Sequence, residues 1–139
     1  MKKVILDTNV IVSALISKSI PTQILFDLVL NKKVEVCLSD EIFAEYLEVL
    51  NRNKFKEFPN FKAKADIVLN KIREISSNYN VDVKILILTD TSDNKFLELA
   101  AVSSADYLIT GNSNDFIMSE FEYTRILSPR QFWDEFYNK

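Results

Sequence analysis

The sequence predicts an α/β fold: a three-layer sandwich in which a central, mainly parallel sheet of four to five strands is flanked by helices. Three observations carry that expectation. Short β-branched and aliphatic runs alternate with longer segments whose apolar residues recur at helical spacing, the pattern of a parallel sheet with crossover helices. Those runs are apolar along their length instead of alternating with polar residues, as strands buried on both faces are. The 139 residues contain no repeat, low-complexity tract or Pro/Gly/Ser-rich linker, so a single domain over residues 1–139 is expected.

The elements follow in order. Lys3 to Leu6 reads as a buried strand bounded by Asp7-Thr8-Asn9. A helix beginning near Thr22 carries Ile24, Leu25, Leu28 and Val29 at helical spacing, and Val34 to Leu38 is a second strand. Ser39 caps a helix through about Asn53, with Ile42, Phe43, Tyr46, Leu47, Val49 and Leu50 as its apolar stripe. Pro59 and Asn60 open a longer helix containing Ile67, Val68, Ile72 and Ile75 and ending around Asn78. Val83 to Leu88 is short, apolar and β-branched, the composition of a strand. Asp93 to Ser103 is helical, with Phe96, Leu97, Ala100 and Ala101 facing inward. Tyr107 to Thr110 is a strand stopped by Gly111-Asn112, and Arg125 to Leu127 is another. Pro129 then opens a final helix with Phe132, Trp133 and Phe136.

Composition excludes several chemistries. The chain has no histidine, so triads with a His base, His-ligated zinc and His acid–base ribonuclease chemistry are ruled out. Its single cysteine, Cys37, forms no intrachain disulfide or cysteine cluster and fits a reducing compartment. One glycine, Gly111, is too few for a P-loop or a dinucleotide fingerprint. Asp7 and Asn9 interrupt the apolar run that follows Met1-Lys2-Lys3, so a cytoplasmic protein with neither signal peptide nor membrane span is expected.

Charge is distributed unevenly behind a net value of −3. Residues 51–75 carry seven basic side chains, among them Lys54, Lys56, Lys62 and Lys64, against three acidic ones. Residues 89–122 carry seven acidic side chains and one basic, Lys95. A solvated basic helix beside an acidic surface accounts for this, and so does an acidic metal centre flanked by a surface for a polyanion.

In parallel α/β sheets the site lies beyond the carboxyl ends of the strands. Asp7 ends the first strand, Asn112, Asn114 and Asp115 follow the one ending at Thr110, and Asp90 and Asp93 enter the preceding helix. A single strand-end aspartate is a turn former or helix cap as readily as a ligand, and Asp90 with Asp93 resembles a capping box. Several acids at one sheet edge with no basic partner beside them repel one another unless a cation sits among them. Helix arithmetic singles out a fifth acid: Glu45 lies about 40° beyond Val49 at the edge of the apolar stripe, while Glu41 and Glu48 lie nearly opposite the stripe's centre.

Five segments resemble, in order, the motifs of PIN-domain ribonucleases. They are Val4-Ile5-Leu6-Asp7-Thr8-Asn9-Val10, the helix around Glu45 (Ser39 to Tyr46), Asp90 to Ala100, Ala105 to Asn112, and Ile126 to Phe132. The resemblance spans essentially the whole chain and is nearest to the small VapC-like toxins of toxin–antitoxin pairs. It implies that Asp7, Glu45 and Asp93 hold Mg²⁺ or Mn²⁺, with Thr8, Asn9 and Thr110 orienting ligands and water. The family often has an aspartate where this chain has Asn112; Asp115 matches a further acidic position, and Asn112 retains a carbonyl oxygen for a hard cation. The activity implied is hydrolysis of single-stranded RNA to a 5′-phosphate and a 3′-hydroxyl. The partners implied are RNA, reached through Lys54, Lys56, Lys62 and Lys64, a separate antitoxin protein, and a second copy in a homodimer.

Two other readings stand beside it. Asp7-Thr8-Asn9 and the segment Gly111 to Asp115 faintly resemble haloacid-dehalogenase-type phosphatases, which need a second aspartate where Asn9 stands. A non-enzymatic reading is a PIN-like module that binds RNA or protein, its activity weakened at Asn112.

Overall fold

The computed structural model describes residues 1–88, 93–111, 116 and 118–137. Asp90, Asn112, Asn114 and Asp115 therefore lie outside the described residues. The mixed α/β architecture expected from the sequence is present, with a central, mostly parallel sheet flanked by helices. Its strands are β1 (Lys3–Leu6), β2 (Glu35–Leu38), β3 (Ser77–Asn78), β4 (Tyr107–Ile109), β5 (Glu120–Phe121) and β6 (Thr124–Leu127). They are ordered β3-β2-β1-β4-β6-β5. Every pairing is parallel except that of β5 with β6. Val4, Ile5 and Leu6 of β1 are all buried, as are Tyr107, Leu108 and Ile109 of β4. Successive strand residues point to opposite faces, so the sheet is covered on both.

Six strands among the described residues exceed the four to five expected because two pairs of residues extend the edges. Ser77 and Asn78 leave the long helix early and pair with Cys37 and Leu38. Glu120 and Phe121 form a tight hairpin with β6, turning through Glu122 in the left-handed region at φ 51°. Ser39 caps α3 (Asp40–Leu50) as expected, accepting from the Ile42 amide at 3.2 Å. Leu47, placed on the stripe of that helix, is 41% exposed. The long helix α4 runs Phe61–Ile75, and the last, α6, runs Pro129–Tyr137 with Pro129 at its first position.

Two expectations fail for physical reasons. Thr8–Ile16 is a helix, α1, where the sequence predicts only a boundary after β1. Its β-branched run Val10-Ile11-Val12 has little helical preference, but burial of Thr8, Ile11 and Leu15 along one side and of Val10 and Ala14 beside them overrides propensity. The next helix, α2 (Ile20–Gln23), continues as π-helical turns over Ile24–Val29 and starts before Thr22. The second failure is Val83 to Leu88, which joins no ladder. Instead the side chains of α5 (Asn94–Ser103) take its amides: Ile85 N–H donates to Glu98 Oε2 and Leu88 N–H to Asn94 Oδ1, each at 3.0 Å. Leu86 is left 84% exposed. Among the described residues no single helix is long and apolar enough to cross a membrane.

Candidate active site

Strand order reverses between β1 and β4, which makes their shared carboxyl end the switch point where ligands bind in such sheets. Asp7 follows β1 directly and is only 5% exposed. Its amide extends the ladder to Ile109 O at 2.9 Å, and its Oδ2 accepts from Thr110 Oγ1 at 2.7 Å. A buried carboxylate is thus fixed by a hydroxyl just past the end of the neighbouring strand. Asp7 is also the N-cap of α1, whose positive end favours a negative group there. Asn9, in the first turn of α1, accepts from Gly111 N–H at 3.0 Å. A Cβ at position 111 would lie 3.3 Å from Asn9 Oδ1, so the glycine lets this loop close on α1.

The second acid comes from α3. Glu45 is half-buried while Glu41 and Glu48 are exposed, the order that the helix arithmetic predicts. Thr8 Oγ1 donates to Glu45 Oε2, and Lys95 Nζ sits 2.6 Å from Glu45 Oε1. The acids therefore do have a basic partner beside them, contrary to the sequence reading. The third acid, Asp93, is 8% exposed and stands at the N-cap of α5, while the capping box it would form with Asp90 lies outside the described residues. Asp7, Thr8, Asn9, Glu45 and Asp93 line one cleft of about 300 Å³ with Val12, Val49, Lys54 and Phe55. Among the described residues no three such side chains are arranged to hold a metal ion. The donor chemistry suits a hard cation, since carboxylates are the ligands Mg²⁺ and Mn²⁺ prefer. In the conformation seen, Lys95 and Thr8 engage the oxygens of Glu45.

Tyr46, beside Glu45 in sequence and about 100° further round the helix, is fully buried in the core. Its hydroxyl donates to Leu6 O at 2.5 Å, pinning the end of β1 on which Asp7 depends. Burial pushes the phenol well above its usual range, and the Asp7 and Glu45 carboxylates push it further.

The basic residues separate into two kinds. Lys54 reaches the acidic cleft, and Lys56 lines a second cleft that also contains Phe55. Lys62 pairs with Asp66 and Asn51, and Lys64 donates to Leu15 O at 3.1 Å.

A family model described as the PIN domain matches residues 3–114. The chain belongs to the PIN-domain family. Membership brings nuclease-type chemistry that is generally dependent on a divalent metal. A relative, the uncharacterized protein MJ1680 of Methanocaldococcus jannaschii, is 28% identical over 143 residues, covering 96% of this chain and 91% of that protein.

Within this PIN domain, sequence reasoning missed Lys95, Tyr46, Val12, Val49 and Phe55. Lys95 had a legible signal: it is the lone base in an acidic stretch, two residues from Asp93. Tyr46 had one too, because a buried hydroxyl on an apolar stripe needs an acceptor.

Proposed function

We propose that this PIN-domain protein is a metal-dependent endoribonuclease specific for single-stranded RNA and the toxin of a toxin–antitoxin pair, similar to VapC toxins. The observation that carries the reading is the lining of one cleft at the sheet's switch point by Asp7, Glu45 and Asp93, from three different elements. Asp7, Glu45 and Asp93 would hold Mg²⁺ or Mn²⁺, with Asp115 as a further ligand and Thr8, Asn9, Thr110 and Asn112 orienting ligands and water. When bound, the cation supplies water activation near neutral pH and neutralises charge growing on the phosphate. The chain's own residues supply the rest. Thr110 holds Asp7 in one orientation, so little reorganisation is needed when substrate arrives. Lys54 offers an ammonium to a phosphate entering the cleft. Water adds its hydroxyl to phosphorus and its proton ends on the departing 3′ oxygen, leaving a 5′-phosphate and a 3′-hydroxyl. A cytoplasmic location, a homodimer and a separate antitoxin belong to the same proposal.

A second reading, a PIN module that binds RNA or protein without cleaving, draws on the Lys95–Glu45 pair, which already neutralises one acid without a metal. Cleavage of a mixed RNA pool separates the two. The expected result is Mn²⁺- or Mg²⁺-dependent products with 5′-phosphates that disappear in Asp7→Asn, whose amide oxygen keeps the Thr110 hydrogen bond and the fold. Equal cleavage by a folded Asp7→Asn protein would sink the mechanism, and no cleavage by the wild type would favour the binding module.

A further inference from the structure

The acidic cleft does not end at Phe55. That ring also lines a second cleft, of about 360 Å³, between the end of α3, the 3₁₀ turn Asn53–Phe55 and the start of α4. Phe55 is stacked on Phe61 with centroids 4.8 Å apart and planes 18° from parallel, a buried pair that backs the cleft and leaves Phe58 to present the open ring. Phe58 is tilted 47° to Phe61 and only half-buried, so part of its ring faces the cleft. The polar lining is of two sorts. Arg52 and Lys62 are ion-paired with Glu48 and Asp66. The Lys56 ammonium and the side-chain amides of Asn53 and Asn60 make no hydrogen bond or ion pair among the described residues.

We propose that this second cleft holds an unpaired base of an RNA strand whose neighbouring phosphate lies in the acidic cleft. An aromatic face, amides that both donate and accept, and a nearby ammonium are the groups that bind a splayed-out nucleobase and its phosphate. An apolar peptide side chain would cover the rings but make no use of the two amides or the Lys56 ammonium, which stand exposed around the cleft. Continuity supports the same occupant: Lys54, Phe55 and Lys56 are consecutive, with Lys54 in the acidic cleft, Lys56 in the second and the shared ring between them. Asn53 and Asn60 are the residues that read the base edge. The ligand's identity rests on the ribonuclease reading, but the site is testable without cleavage.

The test uses the full chain carrying Asp7→Asn, in EDTA, with a fluorescein-labelled single-stranded RNA octamer of random sequence. Phe58→Leu keeps an apolar side chain, and Asn60→Gly suits the left-handed backbone there, φ 60°, so both variants retain the fold. Phe58→Leu and the pair Asn53→Ala with Asn60→Gly should each weaken binding about fivefold or more, as loss of one base contact does. An octamer without bases should bind the unsubstituted Asp7→Asn protein that much more weakly and lose nothing further in the variants. With Asp7 intact, the variants should raise KM and leave kcat unchanged. Octamer affinity that is unaltered by both substitutions, or absent altogether, overturns the base site. Cleavage of RNA with wild-type KM in the variants removes the base site and leaves the ribonuclease reading standing. The reverse pattern, the expected binding losses in a chain that never cleaves RNA, keeps the base site and removes the nuclease.

Discussion

Lys95 places an ammonium 2.6 Å from Glu45, with the two side chains only 14% and 20% exposed. Breaking a buried pair by removing one partner costs about 3–5 kcal/mol, and this partly exposed pair should cost less, about 1–2 kcal/mol. Lys95→Met should therefore lower stability by that amount without metal. Since the lysine and a divalent cation compete for the same carboxylate, Mn²⁺ should then raise the melting temperature of Lys95→Met more than that of the wild type. Equal Mn²⁺-induced shifts, measured by calorimetry, would show that Lys95 does not compete. At this scale the sequence was informative wherever a periodicity or a strand end fixed direction, as with Glu45 at the edge of its helical stripe and Asp7 after β1. It marked Lys95 as the lone base of an acidic stretch but was uninformative about its partner, because the pair joins residues fifty positions apart and no local pattern brings α3 beside α5.

Among the elements, β1, β2, β4 and β6 were legible from their runs of apolar residues, because strands covered on both faces bury few polar ones. The misassigned segments were decided by tertiary partners. Val10-Ile11-Val12 forms a helix because the core needs its buried side, and Val83 to Leu88 stays out of the sheet because Glu98 and Asn94 satisfy its amides from a helix that comes later in the chain. The joint between α3 and β1 gives a pH-dependent prediction. The phenol of Tyr46 titrates at a higher pH in the fold than in the unfolded chain, so the folded state keeps a proton that the unfolded chain releases. Its contribution is complete below the unfolded value of about 10 and is lost above it, by up to about 1.4 kcal/mol per pH unit until the folded value is reached. Tyr46→Phe should be less stable at pH 7 by about 1–3 kcal/mol, because Leu6 O is left buried without its donor. Above about pH 10 the difference should shrink, since the variant has no phenol to ionise. Tyr107, pushed up to about 12 first by burial and then by Glu135, steepens the alkaline limb in both proteins and cancels from the comparison. Urea unfolding at pH 7 and pH 11 checks this, and parallel losses in the two proteins would remove Tyr46 from the account.

For the whole molecule, the basic segment 51–75 and the acidic segment 89–122 meet at the switch point, where Lys54 shares a cleft with Asp7, Glu45 and Asp93. Composition alone assigns Lys54, Lys56, Lys62 and Lys64 to one polyanion surface; their surroundings divide them. Lys62 is held by Asp66, and Lys64 by the Leu15 carbonyl in the last turn of α1, whereas Lys54 and Lys56 line adjoining clefts. A cation already committed within the protein releases few counterions from RNA, while one that meets a phosphate contributes about 0.7 to the slope of log affinity against log salt for single strands. Lys54→Gln with Lys56→Gln should thus flatten that slope by about 1.4. Lys62→Gln with Lys64→Gln should leave the slope near the wild-type value. Affinities for a single-stranded RNA octamer between about 50 and 200 mM salt give the measurement, because electrostatic binding changes steeply over that range. Equal flattening by both pairs would mean that RNA follows the exposed side of α4, as a uniformly basic helix would guide it. A slope changed by the first pair alone places the strand across Phe55, with the acidic cleft on one side and the aromatic cleft on the other.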